Sequence, residues 1–507
     1  MFNWGVLTKF VPTVEKPKYR LNFKEKAKWT LLVLVLFYIL GSITIWGVNP
    51  DAVAHFEFLE IVFGSRFGSL ITLGIGPIVT ASIILQLLVG SKIIDWNLRS
   101  EEGQKKFTSA QKLLTIAFCF IEAVAYVFAG AIPPMHPSFS LFIILQLALG
   151  GIIIMLFDEV TSKWGIGSGV SLFIAAGVSK TIFIRIFNPL TQAGELPVYG
   201  EPPAGIIPGF IASLMEGTPL FFSLLPLIAT AIVFIMTLYI QDIKVEIPMA
   251  FSLPFGKFAA RRWPIRLLYT SNIPVILTAA VLANLQVLGR ALYSKGITFL
   301  GTYNERGVPV SGLMYYLSNP SGDVGLIIVT VVGSIFALCF ALIALRLWRK
   351  YAARFGIIGA IVGMVTGYFL LQYYNLPSIS FDSALRAIVH LSVYVISSII
   401  FSIFWVNTAG MDPKSVAEQF KSAYLTIPGF RHDPRIIEKV LSRYIPALTV
   451  LGGALIGFLA AFADLTSAIG TGTGILLTVM IIYQFYQQII TQHYEDMPPT
   501  LRKFLGE

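Results

Sequence analysis

The side chains able to do chemistry are scattered along this chain. His55, His136, His390, His432 and His493 share no His-x-x-x-His spacing, and Cys119 and Cys339 both lie alone in apolar segments. Metal ligands and disulfide frameworks need closer, repeated spacings, so the cysteines read as packing residues and no metal or cofactor is expected. The glycine-rich stretches GSGVS and GTGTG lack the Lys-Ser/Thr of a nucleotide loop and precede apolar runs rather than following strands. No nucleophile, base and orienting group fall within one motif, so an enzyme is not supported. What remains is a short set of polar residues inside apolar runs: Glu122 in FCFIEAVAYVF, Thr80, and Asn272. In lipid such groups face protein or water and mark function or interhelical hydrogen bonds. Asp158 and Glu159 end one run and read as interfacial, while Arg386 and His390 begin another on one face, with Arg386 snorkelling.

The helices that would hold these residues are interrupted at their starts. LGIGPIVTASIILQLLVG, from Leu73 to Gly90, is broken in its first turn by Gly74, Gly76 and Pro77. The stretch before it, His55 to Thr72, is too short and too polar to cross a bilayer core that needs about 20 apolar residues. Such a half-length piece is tolerated at membrane depth only inside protein or a water-filled cavity. Similar breaks recur at Gly165, Gly167 and Gly169, followed by Val170 and Ile174 on one face, at LLYTSNIPVI with Pro274, and at GTGTG before ILLTVMII. Several spans therefore begin flexibly, each with a branched apolar residue just inside.

Composition fixes the class. The 507 residues are 56% hydrophobic and 13% charged, with mean hydropathy +0.76, which defines a polytopic membrane protein. Apolar runs of spanning length number about twelve. They lie near 29–48, 74–88, 113–131, 139–157, 167–186, 220–240, 268–288, 324–345, 356–371, 384–406, 445–463 and 470–490. The N-terminus is basic and amphipathic, so the first span serves as its own insertion signal. The net charge of +10 concentrates in the N-terminus, in 91–112, in 244–266 and in 414–443, which places those segments and both termini in the cytosol. The stretch 187–220 has no Lys or Arg but carries Glu195, Glu201 and Glu216, as fits the outer side.

The segments ITLGIGPIVTASIILQLLVG, DEVTSKWGIGSGVSLFIAAGVS, KVEIP, PIRLLYTSNIPVIL, GMDPKSVAEQ, RYIPALTVLGG and GTGTGILLTV together resemble the SecY family, the alpha subunit of the protein-conducting translocon, in its archaeal type. The resemblance implies an all-α polytopic fold: two inversely related five-helix halves forming a clamshell around a central pore, with a short plug helix. The implied pore ring is Ile75, Val79, Val170, Ile174, Ile276 and Leu477. The implied plug includes Phe58, Glu60, Ile61, Phe63, Arg66 and Phe67. The implied lateral gate is Thr80, Glu122 and Asn272, with Gly74, Gly76, Pro77 and Pro274 as hinge positions. All six ring positions are bulky and apolar, and such a constriction can dewet and resist ion flow.

The same resemblance implies ribosome docking by Lys257, Arg261, Arg262 and Arg266 in one basic loop and by Arg431 and Arg435 in another. It also implies small single-span SecE/gamma and beta-type partners, together with nascent polypeptides, signal sequences and lipid. The expected organisation is a cytosolic N-terminus (1–28), an N-terminal half (29–186, plug about 55–72), and an external loop (187–219). Spans six and seven follow (220–290, docking loop 241–267), then the last three spans (384–492, docking loop 409–443) and a cytosolic tail (493–507). The family has ten spans, so the two near 322–375 are an inserted hairpin, expected at the periphery and outside the pore. Discontinuous helices and an embedded Glu122 would also suit a secondary transporter. A transporter site needs convergent polar groups, whereas the six matched positions are aliphatic. A membrane scaffold or insertase without a pore is the third reading.

Overall fold

The computed structural model describes residues 12–49, 66, 68–90, 93–94, 96, 100–128, 130–191, 195–197, 202–215, 221–252, 258–304, 308–319, 324–347, 352–374, 376, 379–422, 425–426 and 434–493. The helices of the first part are α1 (Phe23–Leu40), α2 (Gly76–Gly90), α3 (Glu101–Phe128), α4 (Ser140–Trp164), α5 (Gly169–Phe187) and the short α6 (Ile206–Met215). Then come α7 (Leu225–Asp242), strands β1 (Lys244–Ser252) and β2 (Phe258–Arg266), α8 (Ile273–Ser294), strands β3 (Thr302–Tyr303) and β4 (Pro309–Ser311), and α9 (Leu313–Leu317). The chain continues with α10 (Val324–Leu347), α11 (Ala352–Tyr373), α12 (Phe381–Thr408), α13 (Pro413–Ser422), β5 (Leu425–Thr426), α14 (Pro434–Leu465) and α15 (Gly472–His493).

Nine helices among the described residues are long and apolar enough to cross a membrane. Helix α1, with Lys24, Glu25 and Lys26 in its first turn, and the shorter apolar stretches Gly76–Gly90 and Val324–Phe340 fill the remaining places in the expected set. Several helices outrun their apolar stretch. Helix α3 begins at Glu101, where Glu101–Lys105 and Glu102–Lys106 pair one turn apart at 2.7 Å each. Polar residues of high helix propensity extend a span beyond the hydrocarbon without changing its hydropathy signal.

At α2 and α8 the glycines and prolines stand at the helix start, whereas Pro446 lies inside α14. Gly74 has φ of +51° in the turn before α2, a conformation that an L side chain resists, and Gly76 and Pro77 are the first residues of that helix. Pro274 lies in the first turn of α8, where its missing N–H is an unpaired donor in any helix.

The packing separates two groups of helices that meet along two seams. In the first group α2, α3, α4 and α5 pack in succession and α1 lies on α4 and α5; in the second, α14 packs on α12, α15, α7 and α8. On one side of the bundle α2 touches α8 and α12 while α3 touches α8; on the other, α5 packs on α15. One buried apolar cluster runs through both groups, from Val33 and Phe37 of α1 to Met480 and Ile481 of α15.

Helices α10 and α11 form a tight antiparallel hairpin. Its close approach requires glycine: a Cβ at Gly363 would lie 2.7 Å from Phe336 Cβ and 2.8 Å from Gly333 Cα. The hairpin leans through α10 on α7 and α14, with Val331 buried among Ala229, Val233, Ala463 and Val479. Neither the α2–α8 contact nor the α3–α8 contact involves it.

The all-helical reading of the sequence omits the small sheets. β1 and β2 pair antiparallel over their full length, from Lys244 opposite Arg266 to Ser252 opposite Phe258. β5, more than 170 residues later by the numbering, adds beside β1 at Ala250–Thr426 and Phe251–Leu425. A second core of Ile247, Ile265, Phe420, Ile437, Leu441 and Ile445 fastens this sheet to α13 and α14, with Trp263 edge-on to Phe420 at 4.7 Å. The two basic loops are thus one folded unit. Alternation over segments this short, interrupted by Pro248 and Pro264, gives no strong strand signal.

Candidate functional site

The six aliphatic positions come from four separate parts of the chain. Ile75 ends the turn leading into α2, and its carbonyl accepts the Val79 N–H at 3.0 Å. On α5, the Val170 N–H is held at 2.9 Å by Asp158 Oδ1 of the preceding helix, with Ile174 one turn on. Ile276 lies in the first turn of α8, its N–H donating to the Asn272 carbonyl at 3.2 Å, and Leu477 lies in the second turn of α15. Ile75, Val79, Ile174, Ile276 and Leu477 are all buried in the one apolar cluster, with half-buried Val170 packed against it. Each sits within about a turn or two of a helix start, so the position of that start sets where the side chain projects.

The polar residues behave differently from the expectation. Thr80 Oγ1 donates to Glu122 Oε1 at 2.8 Å, joining α2 to α3. The third member of the cluster is Asn284, whose Nδ2 donates to Thr80 Oγ1 at 3.0 Å from α8. Asn272 is not brought to this cluster. It precedes α8, where its Oδ1 accepts from Ser271 Oγ at 3.2 Å and from Gln484 Nε2 at 3.4 Å. Asn272 and Asn284 are both polar residues on or beside an apolar helix, and only Asn284 lies at the depth of Thr80. Its signal was an asparagine within the otherwise largely apolar TAAVLANLQVL, two residues before Gln286. Glu122 is buried, and its Oε2 has no hydrogen-bond partner among the described residues. A polar cluster at a helix seam, unlike an apolar one, offers hydrogen bonds to whatever enters when the helices part.

Of the expected plug residues, Phe58, Glu60, Ile61, Phe63 and Phe67 lie outside the described residues. Arg66 is exposed, and its Nη1 donates to the Gly41 carbonyl at 3.4 Å.

The basic positions divide. Lys257 and Arg431 lie outside the described residues. Arg261 stands opposite Met249 in the sheet. Arg262 is exposed and pairs with Glu246 at 3.1 Å across the hairpin. Arg266 turns to α15, where it donates to Gln487 and lies over the Tyr483 ring at 5.9 Å from its centroid. Arg435 is exposed in the first turn of α14. Beside the sheet, Tyr269 donates to the Met411 carbonyl at 2.8 Å, tying the two loops together, and burial pushes its phenol up to about 12.

Chemically this arrangement brings aliphatic side chains without a charged member to one apolar cluster and, next to it, sets a part-buried hydroxyl–carboxyl–amide cluster across a seam between helices. Among the described residues no three His, Cys, Asp or Glu gather as metal ligands. Aliphatic side chains in contact exclude water and therefore ions.

Comparison with known proteins identifies the family. A sequence profile of the SecY family matches residues 69–486. The chain is 41% identical over 497 residues to the protein translocase subunit SecY of Methanocaldococcus jannaschii, covering 98% of each chain. A solved protein-conducting channel is similar with a TM-score of 0.76 and 40% identity, covering 98% of this chain and 99% of the other. Sec61 in the canine ribosome-channel complex from the endoplasmic reticulum is similar with a TM-score of 0.74 at 40% identity, again over 98% and 99%. The chain belongs to the SecY family.

Proposed function

We propose that this chain is the pore-forming subunit of a protein translocation channel, in which secretory polypeptides pass through the aliphatic constriction and apolar segments leave sideways between α2/α3 and α8. The observation that carries this reading is the convergence of Ile75, Val79, Ile174, Ile276 and Leu477, from four separate parts of the chain, into one buried cluster with half-buried Val170 packed against it. Aliphatic side chains seal against ions at rest and yield around a passing chain because they make no directional bonds. In this reading the driving force comes from a partner.

That partner is a translating ribosome docked on the three-stranded sheet and its basic loops; the similarity to Sec61 in a ribosome-channel complex supports this reading. With the basic loops and both termini in the cytosol by the positive-inside bias, the sheet faces the ribosome. Small single-span SecE/gamma and beta-type subunits complete the assembly, and the α10–α11 hairpin stays at its periphery.

The test is site-specific crosslinking from Ile75 and Val170 to a secretory nascent chain stalled on the ribosome. Crosslinks at both positions are expected. Their absence, with the ribosome still bound, would sink the proposed path and favour an insertase or transporter.

For the gate, Asn284→Leu removes the hydrogen bond from α8 to Thr80. Interhelical hydrogen bonds in membranes contribute about 1 kcal/mol, so the balance between closed and open seam is expected to shift about fivefold. Disulfide trapping between cysteines on α2 and α8 reads that shift, and an unchanged trapping yield would count against the gate.

A further inference from the structure

Helix α15 reaches the constriction after a strained turn. Ser467 and Thr471 have φ of +50° and +56°, and Gly470 has +79°. Left-handed backbone is unfavourable for ordinary L residues, most of all for a β-branched threonine, and persists only where the surroundings enforce it. The enforcing group here is Asp464 in the last turn of α14, which is fully buried. Its Oδ1 accepts the Thr473 backbone N–H at 3.2 Å and the Thr473 hydroxyl at 3.5 Å, in the first turn of α15. Its Oδ2 lies 3.4 Å from His390 Nε2 of α12, while His390 Nδ1 lies 3.2 Å from the Leu317 carbonyl at the end of α9. Both ring nitrogens face oxygen acceptors: a ring with one proton donates to either the Leu317 carbonyl or Asp464 Oδ2, and a ring with two protons donates to both and joins α9 to α14. One turn earlier on α12, Arg386 donates to Ser318 Oγ at 2.6 Å and to the Asn319 carbonyl at 2.8 Å, holding the same end of α9. Thr473 is four residues before Leu477.

The first half of the chain repeats the device. Asp158, on α4, caps α5 through the Val170 N–H at 2.9 Å, again beside aliphatic positions of the constriction, Val170 itself and Ile174. Because the crossings alternate, α5 and α15 enter from opposite faces of the membrane. In both halves a carboxylate of one helix, fully buried at Asp464 and half-buried at Asp158, holds the start of the next.

We propose that Asp464, held by His390, is a positioning residue that sets the height of Leu477 in the constriction, with Asp158 playing the matching part for Val170 and Ile174. This rests on reading the six aliphatic positions as the seal. When the cap is lost, the turn at 467–471 relaxes, α15 shifts along its axis, and Leu477 leaves the plane of its partners.

The test uses the full chain in planar bilayers with no polypeptide substrate, together with a short-spacer crosslink between cysteines at Leu477 and Ile174 after replacing Cys119 and Cys339. Asp464→Ala is expected to raise ion leak at least fivefold and to lower the Leu477–Ile174 crosslink yield by a similar factor. Asp464→Asn keeps an oxygen acceptor for Thr473 and should restore most of both. His390→Gln, which leaves the cap in place but unanchored, should fall between them and serves if Asp464→Ala does not fold. Wild-type leak and crosslinking in folded Asp464→Ala, or in folded His390→Gln where the alanine variant is lost, would overturn the proposal. Leu477→Asn in the same assay separates the two readings. If it leaks while Asp464→Ala does not, the positioning role fails and the seal stands; if Leu477→Asn itself does not leak, the seal reading fails first.

Discussion

Replacing Ile75 and Val79 together with asparagine should raise the resting ion conductance of the channel about tenfold or more. Both side chains are buried in the apolar cluster that joins the two groups of helices. Burying an amide with no hydrogen-bond partner costs about 1–3 kcal/mol, and every 1.4 kcal/mol shifts an equilibrium about tenfold. The double substitution therefore moves the population toward states in which the amides reach water, and those are the states that conduct ions. Single-channel recording without substrate reads the outcome. Leucine at the same two positions should keep conductance low, because size and apolarity are retained. Wild-type conductance in the asparagine variant would show that the seal lies elsewhere.

The second large effect concerns the basic loops. Arg262→Glu combined with Arg431→Glu should lower ribosome affinity at least tenfold near physiological salt, and flatten its dependence on salt by about two in log–log slope, since each phosphate contact contributes about 0.7–0.9. Arg262 is exposed, and its ion pair with Glu246 is of the surface kind worth about 0–1 kcal/mol, so it can exchange partners readily. Arg266 is a useful contrast, because it is engaged with Gln487 and Tyr483 on α15. Its loss should disturb the junction of sheet and helix more than the salt slope. Cosedimentation across a salt series distinguishes these outcomes, and an unchanged slope in the double variant would reduce these charges to orienting the loops in the membrane.

The starts of three helices were legible residue by residue, whereas α3 and α14 begin about three turns before their apolar runs. Gly74, Gly76 and Pro77 mark the beginning of α2, Pro274 that of α8, and GTGTG that of α15, because glycine and proline act through their own backbone and need no neighbour to do so. The aliphatic positions just inside those starts followed from the same local signal and from the family resemblance. The polar partners did not follow. Asn272 and Asn284 differ little as residues in a sequence, yet only Asn284 meets Thr80, which is 204 residues away. That choice depends on the rotation and height of α8 against α2, which no local property encodes. The same holds for Asp464, His390 and Thr473, three residues from three helices that carry no shared motif, and for β5, whose strand character comes from pairing with β1.

By itself, then, the sequence marked a membrane protein with about twelve apolar runs of spanning length, the starts of α2, α8 and α15, which loops carry positive charge, and which aliphatic residues stand near helix starts. Hydropathy, backbone restriction and charge placement belong to single residues and short windows, so they can be read along the chain. The tertiary structure alone decided which polar groups share the seam, that strands from the two basic loops form one sheet, and that the α10–α11 hairpin rests on α7 and α14. Those are relations between segments far apart in the chain, fixed only when helices close-pack and each buried polar atom has to find the partner that the packing places within reach.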